Sequence, residues 1–122
     1  MKNQKFLKRL KIASLGIMTA LKEEKSFRIQ FLIGLVVIFL MIVLGLNYIE
    51  KTILILIILV VLSLELINSQ VEKFLDLINP DHHPVVKRIK DLTAAAVLLS
   101  VIGSIAMGVL IFLPYIINLV KR

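Results

Sequence analysis

Three stretches of the chain are uncharged or nearly so: Phe31 to Leu46, Thr52 to Ile67 with Glu65 as its one charge, and Leu92 to Val120. A helix needs about 20 apolar residues to cross a hydrocarbon layer of about 30 Å, so each stretch predicts a crossing. The expected spans are residues 30–49, 52–70 and 92–118. The last run is longer than the layer is thick, so it must tilt or begin in the interface. Ahead of them, Phe6, Leu10, Ala13, Ile17 and Leu21 recur at helical spacing among Lys5, Lys8, Arg9 and Lys11. That pattern predicts an amphipathic helix over residues 3–22 that lies on the membrane. A secretory signal starts in a similar way, but charge interrupts the apolar segment through Arg28 and no small-residue cleavage site follows the first span.

Punctuation divides the spans. Residues 47–51 leave room only for a tight hairpin, with Tyr48 suited to the interface. Asn79-Pro80-Asp81-His82-His83-Pro84 ends the second span, because each proline disfavours helix at the residue before it. Ala96, Ser100, Ser104 and Gly108 recur every four residues, a small-residue ridge that admits a second helix at close range. The fold class is all-α membrane protein, a single domain over residues 1–122 made of a surface helix and three crossings.

One stripe breaks the apolar pattern. At 100° per residue Glu65, Asn68, Glu72 and Asp76 fall within roughly 80° of one another on a helix. If that helix enters the bilayer at Thr52, Glu65 lies roughly 20 Å in and Glu72 roughly 30 Å in, with Asp76 just beyond. A charged group at such depth costs at least about 2.5 kcal/mol, so it marks a functional site by default. Glu65 alone could snorkel. Three acids and an amide on one face need a common purpose.

Composition and charge narrow that purpose. The chain is 59% hydrophobic with a mean hydropathy of +0.97, which belongs to an integral membrane protein. Without cysteine, thiolate metal sites are excluded and oxygen-ligand cations remain. The net charge of +7 is concentrated early, in Lys2, Lys5, Lys8, Arg9, Lys11, Lys22, Lys25 and Arg28 against Glu23 and Glu24. No aromatic platform accompanies it, so anionic headgroups are the expected partner and nucleic acid is not. Basic residues also crowd the 73–91 connection, whereas the 47–51 hairpin holds only Lys51; the amino terminus is therefore expected in the cytoplasm and the carboxyl terminus outside the plasma membrane. His82 and His83 have no third histidine to complete a metal site.

Carboxylates flanking a basic residue at the cytosolic boundary suit a Mg²⁺–nucleotide, whose phosphates complete the metal's shell. No GxxxxGK[ST] loop or kinase Gly-rich loop is present, so side chains must meet the phosphates. Glu65 and Glu72 are two turns apart, on the order of 10 Å, and must do different work. Glu72 near the boundary suits metal and phosphate. Glu65, within the apolar layer, is placed to take a proton from a lipid hydroxyl. A small proton-coupled transporter is the alternative from another class, though it would want its acid nearer the midplane. A pore-forming lysis protein would need no aligned acidic stripe.

The run Glu65-x-x-Asn68-Ser69-x-x-Glu72-x-x-x-Asp76, with Lys90-Asp91-x-x-Ala-Ala-Ala96-Val97 and Glu24-x-x-Phe27-Arg28, resembles the prokaryotic diacylglycerol kinase family, which includes undecaprenol kinases of Gram-positive bacteria. The resemblance covers nearly the whole chain. It implies a homotrimeric lipid kinase that uses ATP with Mg²⁺ and composes its active sites between subunits. By that resemblance Glu65 is the general base, Glu24 and Glu72 hold the metal and nucleotide, Lys90 and Asp91 bind nucleotide, and Asn68 and Asp76 support the site. Ser69, Gln70 and Ile89 depart from the family's usual residues, and Gln30 stands where the enterobacterial type often has an acid. The absence of Trp and the Phe112-Leu113-Pro114-Tyr115 ending resemble the Gram-positive type, so undecaprenol is the expected lipid and diacylglycerol the alternative.

Overall fold

The computed structural model describes residues 1–79 and 83–122 and consists of four helices: α1 (Lys2–Glu23), α2 (Lys25–Val43), α3 (Tyr48–Ile78) and α4 (Pro84–Val120). Pro80, Asp81 and His82, within the expected inter-span loop, lie outside the described residues. Helices α2, α3 and α4 are each long and apolar enough to cross a membrane. Their outward surfaces carry exposed Phe39, Ile42, Leu56, Leu59, Leu99 and Leu110, among others. In water such surfaces would aggregate; in hydrocarbon they are at home.

The first hairpin lies at 44–47 and not at 47–51, and its chemistry explains the shift. Gly45 adopts φ +66°, a left-handed conformation that glycine takes without steric penalty. Leu46 N–H donates to Met41 O at 3.1 Å and Gly45 N–H to Ile42 O at 3.3 Å, the paired bonds of a Schellman termination. Leu46 and Met41 then pack together with Leu54 of α3. Asn47 immediately caps α3: its side chain accepts from Glu50 N–H and Glu50 accepts from Asn47 N–H, a reciprocal capping box. Tyr115 of α4 donates its hydroxyl to Glu50 as well, tying α4 to the same corner.

Helix α3 is the centre of the molecule, packed against α4 and, less extensively, against α2. Gly34 sets the α2–α3 approach, since a Cβ there would lie 3.0 Å from Ile58 Cγ2. On α4 the hydroxyls of Ser100 and Ser104 bond back to Val97 O and Val101 O, so the small-residue ridge stays internally satisfied within its own helix. Ser104 and Gly108 face a cavity of about 690 Å³ lined by α2, α3 and α4, which has Gln30 as its polar residue on α2.

Candidate active site

The α3 stripe descends into the protein as its spacing predicts. Asp76 is exposed, Glu72 and Asn68 are half-buried, and Glu65 is 7% exposed. Ser69, also buried, donates its hydroxyl to Leu66 O at 2.9 Å. Gln70 is exposed beside the stripe. Opposite Glu65, α2 contributes Gln30, whose Nε2 donates to Glu65 Oε2 at 3.3 Å. Glu65 also lies within the electrostatic reach of Glu72 and Glu24, which brings acids from two chain segments into one field.

Glu24 reaches the stripe because the chain breaks at it. Its backbone is extended, with φ −105° and ψ 104°; its N–H donates to Ala20 O at 2.9 Å and its carbonyl accepts from Arg28 N–H at 3.0 Å. The same residue therefore closes α1 and opens α2. Arg28 Nη1 donates to Leu21 O at 3.2 Å and to Lys22 O at 3.3 Å, satisfying carbonyls that the end of α1 leaves open. Phe27 is buried at 3% exposure beneath the break and stacks obliquely near Phe31. With the corner so anchored, the Glu24 side chain points to α3 and meets Lys73 Nζ at 2.5 Å, with Glu23 at 3.9 Å from the same ammonium.

At the exposed end of the stripe, Lys90 of α4 pairs with Asp76. Lys90 is half-buried and Asp91 beside it is exposed. His83 Nδ1 accepts from Val85 N–H at 3.1 Å and serves as the cap of α4, a local role its sequence position did not declare. Two further residues escaped sequence reasoning: Gln30, noted only as a departure, and Lys73, the one lysine or arginine between Lys51 and Lys87. That isolation was the available signal.

The site's leftover hydrogen-bonding capacity has one sign. Among the described residues, Gln30 Oε1 and Asn68 Oδ1 are buried acceptors without a hydrogen-bond partner. Such atoms call for a donor or a cation. Among the described residues no three His, Cys, Asp or Glu side chains form a metal cage. A metal here needs oxygens from a bound partner, as Mg²⁺ takes them from phosphates.

A helical membrane protein that carries a buried carboxylate at the inner end of a polar stripe, with further carboxylates rising to its surface, is built for chemistry where lipid meets water. The chain belongs to the prokaryotic diacylglycerol kinase family, which matches over residues 11–112. It is 36% identical to an undecaprenol kinase of Bacillus subtilis (strain 168) over 110 residues, 90% of this chain and 89% of that one. A diacylglycerol kinase of Haemophilus influenzae is 34% identical over 99 residues, 80% of this chain and 84% of that protein. A diacylglycerol kinase of Helicobacter pylori (strain 26695) is 36% identical over 87 residues, 71% of this chain and 68% of that protein. This protein is thus a membrane lipid kinase, and the transporter alternative falls.

Proposed function

We propose that the protein transfers the γ-phosphoryl group of ATP, held with Mg²⁺, to the hydroxyl of undecaprenol at the cytoplasmic face of the plasma membrane. The observation that carries this reading is the burial of Glu65 at the inner end of a stripe whose other acids reach water. A lipid hydroxyl approaches from the hydrocarbon side and a nucleotide from the aqueous side. Glu65 accepts the hydroxyl proton as the lipid oxygen forms its bond to the γ-phosphorus. The bond from that phosphorus to the bridging oxygen breaks, and ADP leaves with the electron pair.

Glu24 and Glu72 would hold the metal, which when bound neutralises the charge developing on the phosphates. The donor set fits a hard cation: carboxylate oxygens from the α1–α2 break and from α3, and the unpartnered Asn68 Oδ1. Lys90 and Asp91 bind nucleotide, and Asp76 holds Lys90 in place through their ion pair. A homotrimer with sites composed between neighbours accords with the half-exposed stripe, which one thin bundle covers poorly. Diacylglycerol is the second reading, favoured by the relatives that bear that activity in their names.

The test is ATP-dependent phosphorylation by the purified protein of undecaprenol, diacylglycerol and a long-chain alcohol side by side, with and without chelation of divalent cations. Undecaprenol is expected to turn over fastest and chelation to stop all turnover. Preferential use of diacylglycerol would replace the lipid assignment, and full activity in chelator would remove the metal.

A further inference from the structure

A basic side chain lies against one of the carboxylates assigned to the metal. Lys73 Nζ lies 2.5 Å from Glu24 Oε1, and Lys73 directly follows Glu72, the other assigned metal ligand, on α3. The two partners differ in freedom: the Glu24 side chain is 17% exposed and the Lys73 side chain 54%. A carboxylate partly withdrawn from water is stabilised by a counter-charge. A half-exposed lysine on a four-carbon stem can change partners.

We propose that Lys73 is the resting counter-ion of the nucleotide site and, when a divalent cation takes the Glu24 carboxylate, moves to a phosphate of the incoming nucleotide. Charge is conserved through the exchange. Before loading, Glu24 is paired with an ammonium. After loading, Glu24 and Glu72 face the cation, and the displaced ammonium meets the strongly negative phosphate chain brought with it. The chain has no glycine-rich loop to cradle phosphates with backbone N–H groups, so side-chain cations must do it. Lys90, held by Asp76, is one such cation, and Lys73, beside Glu24, is a second. The inference rests on the assignment of Glu24 and Glu72 above.

The experiment uses the full-length protein in detergent with Lys73→Met and Lys73→Arg, and reads two affinities besides activity. One is for Mn²⁺ alone, a paramagnetic probe of the cation site; the other is for a non-hydrolysable ATP analogue with Mg²⁺. With its competitor removed, Lys73→Met should bind Mn²⁺ severalfold tighter. It should bind the analogue on the order of ten-fold more weakly, the scale of one charge-assisted contact. Lys73→Arg, which keeps the charge, should restore most of the nucleotide affinity, and the Michaelis constant for the lipid should not move in either. Unchanged affinities in Lys73→Met would overturn the proposal. So would a joint weakening of both affinities with a lower melting temperature, the signature of a tether between α1 and α3. Glu24→Gln and Glu72→Gln are run alongside. If these still bind Mn²⁺ like the parent, the metal assignment itself is wrong; if they lose it while Lys73→Met binds the analogue normally, only the exchange is wrong.

Discussion

Three of the acids assigned to the site each meet a polar side chain from another part of the chain. Glu65 has an amide donor from Gln30, Glu24 has an ammonium, and Asp76 has Lys90. Replacing Glu72 or Glu24 with Gln keeps size but would remove a formal charge from the oxygen shell proposed for the cation. Turnover should fall by on the order of 10²-fold or more in each, with Mg²⁺ dependence shifted to higher concentration. Equal Mg²⁺ titration curves for parent and variants in the phosphorylation assay would refute both roles. Glu65, Asn68, Glu72 and Asp76 were legible in the sequence because they share one helix, where spacing alone sets direction. Gln30 and Lys73 were not, since each acquires its meaning from a partner on another element, and only the packed chain brings those partners within reach.

Among the elements, the three spans were readable from hydropathy, but the first turn was misplaced. Tyr48 and Ile49 are apolar enough to extend a hydrophobic run, whereas backbone chemistry ends α2 at Val43. The stop was written in Gly45 and the restart in Asn47-x-x-Glu50, signals that a hydropathy count ignores. Because Glu50 also accepts from Tyr115, this corner fixes the relation of α3 to both neighbours. Gly45→Ala must hold an alanine at φ +66° and should destabilise by about 1 kcal/mol. Asn47→Ala should cost about 1 kcal/mol through loss of the cap. Thermal inactivation in detergent measures both, and a melting temperature equal to the parent's for Gly45→Ala would show that the turn tolerates a Cβ.

For the molecule as a whole, the chain's interior is thin: Ala20, Phe27, Met41, Leu46, Leu54, Leu75 and Val97 are its buried apolar residues among those described. So small a core cannot by itself enclose a polar stripe that is half-buried at Asn68 and Glu72 and exposed at Asp76. Association into a homotrimer is expected to complete it, and native mass measurement in mild detergent should find three chains per active particle; a fully active monomer would end that expectation. The central claim is a division of labour by depth, with the buried acid acting on the lipid and the shallower ones on the metal–nucleotide. Glu65→Gln tests it most directly, with analogue binding and single-turnover phosphorylation measured on the same preparation. Removing a general base lowers the chemical step by about 10² to 10⁴-fold, so phosphorylation should collapse while the affinity for the Mg²⁺-bound analogue stays close to the parent's. Near-normal phosphorylation by Glu65→Gln, or a loss of nucleotide binding as deep as that of Glu72→Gln, would contradict the account.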